Sequence, residues 1–353
     1  VELSVNIIPT WDLSEEEWLA ERAKGIGGSD AGTILGLNQY GSSFQLWSEK
    51  AGKTVREFTG NEATEWGHRL EPVIGEAYAQ KFNKALVEWP VLAWSSSPDY
   101  PFMFVNLDYV EVEPSEQFPA GKVTVWHSTE IPPGIIDIVE VKTTGIATNG
   151  AANKWAKGKV PETYLIQGYH YGIVLASLGI EVYHVTFAAL VGGQGLVVRK
   201  LGKLPDDDLI WDDKVALDIC EAESAFWANV VYEIEPEIDG SDTTEELISA
   251  RFPRSTPDKV LDMDDDDYLM VQNFVAAKEE TKKATEREKA LRTKIVSRLG
   301  DHEAAVYSNE LVLTFKSGQD RTTFDAKSLE ASEPEVWSRY LKSSPGSRTL
   351  LVK

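Results

Sequence analysis

Along the first quarter of the chain apolar residues recur at steps of three and four; beyond it they alternate, and the change of period separates helices from strands. Residues 14–24, SEEEWLAERAK, predict a helix with Ser14 as N-cap and Glu17 completing a capping box. A glycine-rich turn, Gly25-Ile26-Gly27-Gly28-Ser29-Asp30, then feeds a short helical pattern, AGTILGL, with Ser29 or Asp30 as its N-cap. Phe44 to Gly52 predicts a third helix, stopped by glycine. Residues 62–83 carry a long apolar stripe of Trp66, Leu70, Val73, Ile74, Ala77, Tyr78 and Phe82, with Glu71 at its edge.

From Val87 to Val112 the period becomes two. WPVLAWSSS predicts one strand and PFMFVNLDYVEVE a second, with Asp108 near its middle. Asp is depleted in strands, so Asp108 marks a bend, a site, or both. Residues 114–121 predict a loop, VTVWHST a further strand, and residues 133–144, PGIIDIVEVKTT, the strand around which the rest is arranged. Alternation puts Glu140 and Lys142 on one face of it and Val139 and Val141 on the other. Together these strands predict a curved sheet with Asp108 and Glu140 on neighbouring strands.

Pro161 opens a helix, ETYLIQGYHYGIVLASLG, with Gln167 and Tyr171 on one face. EVYHVTFAALVGG and GLVVRKL predict a hairpin-like pair, and residues 206–231 another helix. Residues 233–267 are acidic and poor in periodicity, predicting a linker or extended excursion. Residues 268–299 predict a long charged helix with few apolar positions, suited to a helical hairpin or a partner surface. Strands over VYSNELVLTFKSG and RTTFDA and a short helix at 334–342 complete the chain. The division is therefore a core at 1–232, an acidic segment at 233–267 and a small mixed module at 268–353.

The 353 residues suffice for one large domain or two ordinary ones. No apolar run reaches the ~20 residues that span a bilayer, and no signal peptide is visible, so a cytoplasmic location is expected. A single cysteine, Cys220, excludes a disulfide framework, a cysteine-rich zinc site and a cysteine-ligated iron–sulfur cluster. The net charge of −22 disfavours nucleic acid at first sight. Its distribution softens the objection: residues 1–200 carry 15 basic and 24 acidic side chains, 201–270 carry 5 and 21, and 271–353 carry 15 and 12. The excess acid is concentrated in the middle segment. Lys154, Lys157 and Lys159 around Trp155 suit contact with a nucleic-acid backbone and its bases, or equally an ordinary surface loop.

Taken singly, the polar positions are ambiguous. Glu140 and Lys142 suit a cation-binding carboxylate beside a water-orienting ammonium, and equally an ion pair on a half-exposed sheet. The glycine-rich turn suits an anion site, and equally tight packing. Their order decides more: Trp18, Arg22 and GIGGSDAGTILG, then GHRLEPVI at 67–74, Asp108, EVKT at 140–143, and Gln167 with Tyr171. That order resembles the PD-(D/E)XK nucleases of the RecB-like branch, and more specifically the YqaJ-type viral recombinase family, to which lambda exonuclease is related.

The resemblance implies an α+β nuclease core, a central mixed sheet flanked by helices, followed here by a C-terminal helical and β extension. It implies Asp108 and Glu140 as metal ligands with the Val141 carbonyl, and Lys142 as the residue that positions or activates the attacking water. Glu71 would be a further ligand or water contact, and Gln167 with Tyr171 would hold a phosphate near Lys142. Arg22 and Ser29 match positions that grip a terminal 5′-phosphate. Oxygen-only ligands favour Mg²⁺ or Mn²⁺, one or two ions. The implied activity is 5′→3′ degradation of linear duplex DNA, leaving 3′ overhangs for a phage single-strand annealing protein, by a ring oligomer, often a trimer. A structure-specific endonuclease and a non-catalytic DNA-end scaffold are the rivals. Two departures stand out: Asp108 and Glu140 lie 32 positions apart, so that Asp137 competes for the upstream ligand, and the C-terminal 120 residues lie beyond the core.

Overall fold

The computed structural model describes residues 6–54, 62–145, 154–155, 158–320, 322–342 and 348–352. Its elements run β1 (Ile7–Pro9), α1 (Glu15–Arg22), β2 (Ile26–Gly27), α2 (Gly28–Ile34), α3 (Ser43–Lys50), α4 (Glu62–Phe82), β3 (Ala85–Glu88), β4 (Val91–Trp94), β5 (Met103–Val105), β6 (Tyr109–Val112), β7 (Lys122–Val125) and β8 (Ile135–Thr144). After them come α5 (Glu162–Ser177), β9 (His184–Val191), β10 (Gly195–Gly202), β11 (Leu209–Ile210), α6 (Asp213–Val231) and α7 (Asp242–Arg251). The last are α8 (Asp265–Leu299), β12 (Ala304–Tyr307), β13 (Glu310–Thr314), α9 (Ala326–Ser332) and α10 (Pro334–Tyr340).

The chain divides into two compact units, Val1–Ser249 and Ala250–Lys353. The first is built on a seven-stranded sheet in the order β11-β10-β9-β8-β6-β3-β7, beside a smaller sheet, β1-β4-β5-β2. β8 runs parallel to β9 and antiparallel to β6, so the main sheet is mixed. Alternation along β8 feeds two apolar layers. Val139 and Val141 pack with Ile74, Tyr78 and Ala79 of α4, while Ile138 packs with Ile166, Tyr169 and Val174 of α5. The fold is thus α+β, a mixed central sheet flanked by helices.

Several expectations change. The strand expected through Asp108 is two strands in different sheets, β5 and β6, and Asp108 sits in the break between them. Residues 114–133 fold back as β7, parallel to β3 at the sheet edge, and Gly134 returns the chain at φ 71°, its carbonyl accepting from Glu113 N at 2.9 Å. β6 and β8 therefore remain neighbours, Tyr109 opposite Val139, despite the long separation in sequence.

α2 is capped at Gly27 rather than at Ser29 or Asp30, because Asp30 is buried inside the first turn and reaches back to accept from Gly27 N at 3.0 Å. Part of the apolar stripe on α4 is not core: Trp66 and Val73 are exposed. The helix expected over 206–231 begins only at Asp213, since Asp206–Asp208 form a loop leading into β11. The acidic segment is not wholly extended, for α7 lies in it and buries Thr244, whose hydroxyl bonds Ser42 at 2.7 Å. In the second unit β12 and β13 form a hairpin through Ser308 and Asn309, both at positive φ, the geometry of a two-residue turn. No strand forms over residues 322–325.

Candidate active site

Three elements converge on the C-terminal half of β8. Glu140 is 1% exposed and faces α5. Its Oε1 accepts from Lys142 Nζ and, at 2.8 Å, from Gln167 Nε2. Gln167 Nε2 also reaches Tyr171 Oη at 2.6 Å, one helical turn along. Glu140 Oε2 is buried and accepts nothing among the described residues. Across the ladder, Asp108 Oδ2 accepts from Val141 N at 2.8 Å. The bend before β6 thus turns the Asp108 carboxylate onto β8 at the residue after Glu140.

Glu71 approaches from α4. That helix lies close to β6 because Gly75 has no side chain: a Cβ there would sit 2.7 Å from the Tyr109 ring. Burial first, then the charge of Glu140, push the Glu71 carboxyl up to about 7. The same causes, burial and then Glu140 and Glu71, push Asp108 well above the usual carboxylate range. Burial disfavours the Lys142 ammonium, but Glu140 and Asp108 outweigh it and hold its pKa above the ordinary lysine value. The Lys142 ammonium lies 4.8 Å from the Tyr164 ring centre.

These residues fit a hard divalent cation. Like-charged carboxylates in a recess are destabilised unless a cation joins them, and an unbonded, buried carboxylate oxygen is a ready ligand. Among the described residues no group of three or more His, Cys, Asp or Glu is gathered to hold a metal. The residues that could hold such an ion are Asp108 and Glu140 with the Val141 carbonyl, a set of oxygen donors only.

Arg22 and Ser29 form a second cluster. Arg22 Nη2 donates to Ser29 Oγ at 3.0 Å, and the guanidinium lies over Trp18 at 4.7 Å and Phe104 at 5.6 Å. Below it, Lys50 Nζ pairs with Asp30 at 2.8 Å and donates to the Arg22 carbonyl at 2.9 Å. Burial opposes ionisation of Asp30, yet Lys50 and Arg22 hold its carboxyl below the usual range. Gly28 joins the two clusters, because a Cβ there would meet the Tyr171 ring at 2.4 Å. The glycine-rich turn thus rests directly on the helix carrying Gln167.

The other expected positions separate. Asp137 is buried on the α4 side, opposite to Glu140, and is held by His184, whose N and Nδ1 lie 2.9 and 3.0 Å from Asp137 Oδ1. His184 Nε2 pairs in turn with Asp207 at 3.0 Å. Lys154 is exposed, Lys157 lies outside the described residues, and Trp155 is buried, stacked on Tyr164 with ring centres 6.0 Å apart. Trp155 therefore supports the helix beneath Lys142 and does not offer a base-stacking face.

Sequence reasoning missed Tyr164, Lys50 and Asp30, and a buried pair in which His170 Nδ1 lies 2.9 Å from Glu223 while Nε2 lies 2.9 Å from the Phe104 carbonyl. Tyr164 had a signal, its spacing of three from Gln167 on one helix. Glu223 had none, since its partner is 53 residues away.

Comparison with known proteins agrees with the order of motifs. Residues 17–175 match the model of the YqaJ-like viral recombinase domain. Over 334 residues the chain is 28% identical to the uncharacterized protein YqaJ of Bacillus subtilis (strain 168), covering 94% of this chain and 92% of that one. Among solved structures, the alkaline exonuclease LHK-Exo from Laribacter hongkongensis is 15% identical, with 67% of this chain and 97% of that chain covered and a TM-score of 0.41. A putative exonuclease from Eubacterium rectale is 12% identical, with 72% and 96% covered and a TM-score of 0.42. No helix among the described residues is long and apolar enough to cross a membrane.

Proposed function

We propose that the chain is a divalent-metal-dependent exonuclease that degrades the 5′ strand of linear duplex DNA, 5′→3′, leaving 3′ overhangs for a single-strand annealing protein in phage-type recombination. The observation that carries this reading is Glu140: a buried carboxylate with one oxygen bonded by Lys142 and Gln167 and the other unbonded, beside Asp108. The match to a viral recombinase domain supports it.

In this reading Asp108, Glu140 and the Val141 carbonyl would hold Mg²⁺ or Mn²⁺, and Glu71 would contact the ion or its water. The bound cation would neutralise the phosphodiester oxygens and lower the pKa of the attacking water. Lys142 positions or activates the attacking water, its Nζ set beside the Glu140 carboxylate. Gln167 fixes the Glu140 carboxylate and, with Tyr171, lines the phosphate position. Arg22 and Ser29 bind the terminal 5′-phosphate, and the Lys50–Asp30 pair braces the Arg22 backbone. A ring of nuclease cores would keep the enzyme on one strand.

The test is digestion of end-labelled linear and closed circular duplex with and without Mg²⁺. Loss of linear DNA only, faster from a 5′-phosphorylated end, supports the proposal. Cleavage of the circle would instead identify a structure-specific endonuclease, and binding without degradation in Mg²⁺ or Mn²⁺ a non-catalytic scaffold.

A further inference from the structure

In the second unit, α8 runs for 35 residues, about 50 Å, and buries only Leu299. A helix of this length with an exposed apolar seam needs a partner to bury it. The seam runs at alternating steps of four and three: Met270, Phe274, Ala277, Thr281, Ala284, Glu288, Leu291 and Ile295. That is a heptad repeat, large at both ends and small at the centre. Its large apolar members are exposed, Met270 at 67% and Leu291 at 49%, and towards the C-terminal end Glu288, Leu291 and Ile295 line a groove shared with Leu313 and Phe315 at β13. Thr281 suits the narrow middle, for its hydroxyl donates back to the Ala277 carbonyl at 2.9 Å and leaves its methyl to pack.

We propose that α8 is a self-docking surface through which two copies of this chain pair as an antiparallel coiled coil. The sequence of the seam is nearly symmetric about its midpoint. Antiparallel layers set Phe274 against Leu291, Met270 against Ile295, Thr281 against Ala284, and Glu288 against Ala277. A parallel pair would stack Glu288 on Glu288. Charge points the same way. The N-terminal end carries Asp264–Asp267, and the C-terminal half carries Arg287, Lys289, Arg292, Lys294 and Arg298. Antiparallel pairing brings these ends together, whereas parallel pairing opposes like to like. Beside the seam, Glu280 of one copy falls next to Arg287 of the other, twice by the two-fold axis.

The experiment is sedimentation equilibrium of the full chain. Where α8 is the contact that joins two otherwise separate assemblies, Leu291→Arg halves the solution mass relative to the unsubstituted protein. Glu280→Arg and Arg287→Glu each weaken association, and the double exchange restores it, a readout that does not depend on the packing of Leu291. Orientation is read by spin labels at Lys282→Cys and Gln272→Cys, Cys220 being buried. The antiparallel pair places the Lys282 labels almost level along the axis and the Gln272 labels about 30 Å apart along it. Unchanged mass in Leu291→Arg, no rescue by the double exchange, or equal label distances at the two sites would overturn the proposal.

Discussion

Strand β8 carries two buried carboxylates three residues apart, and their surroundings differ in kind. Asp137, on the α4 side, accepts from the backbone and ring of His184, which Asp207 grips from the far side. Glu140, on the α5 side, has one oxygen bonded and one left bare, with Asp108 beside it and Glu71 on the facing helix. Both are buried, but only the Asp137 end has its partners in place. A carboxylate fully partnered within the fold is a structural element whose loss strands its partner, while one with an open oxygen has a place for a further ligand.

The largest effect that would break this contrast is on activity. Glu140→Gln and Lys142→Ala are each predicted to lower the rate of linear-duplex digestion by about 10³-fold or more, because transition-state charge loses its stabilisation. Asp137→Ala should instead destabilise the fold by roughly 3–5 kcal/mol in denaturant unfolding, since it leaves His184 without its buried partner. The folded fraction of Asp137→Ala keeps its specific activity.

A smaller effect concerns the cation. Saturating Mg²⁺ or Mn²⁺ should raise the melting temperature of the DNA-free protein, a stabilisation of about 2.7 kcal/mol at a hundred times the dissociation constant. The increment should vanish in Glu140→Gln and persist in Asp137→Asn.

The pH dependence sharpens the point. Glu71 titrates near 7 in the metal-free fold against an ordinary value of 4.5, so between those values the folded state binds more protons than the unfolded one. Metal-free stability should therefore fall as pH rises from about 4.5 through about 7, with a slope of up to about 1.4 kcal/mol per pH unit from this group, and Glu71→Gln should remove its share. Smallest is Arg22→Ala, for which the preference for a 5′-phosphorylated over a hydroxyl end should drop about tenfold, the scale of one charge-assisted contact.

Much of this arrangement was legible in sequence because its signals are local. Strand alternation put Glu140 and Lys142 on the face opposite Val139 and Val141, and the four-residue step paired Gln167 with Tyr171. The capping box at Ser14 and Glu17 formed as written. What was not legible depends on distant partners. Asp108 was expected within one strand, but its chain leaves the small sheet at Val105 and enters the large one at Tyr109, a change of sheet that no period reveals. Trp155 among lysines resembled a base-stacking site until Tyr164 covered it. Asp137 and Glu140 were separated in sequence by parity alone; the clamp that accounts for Asp137 involves His184 and Asp207, 47 and 70 residues further on.

The most direct measurement is the Mg²⁺-dependent digestion rate of 5′-phosphorylated linear duplex by Glu140→Gln and Asp137→Asn, assayed side by side on folded protein. The account predicts that Glu140→Gln is inactive while Asp137→Asn digests at the rate of the unsubstituted chain. Digestion by Glu140→Gln, or loss of activity in a fully folded Asp137→Asn, would contradict it.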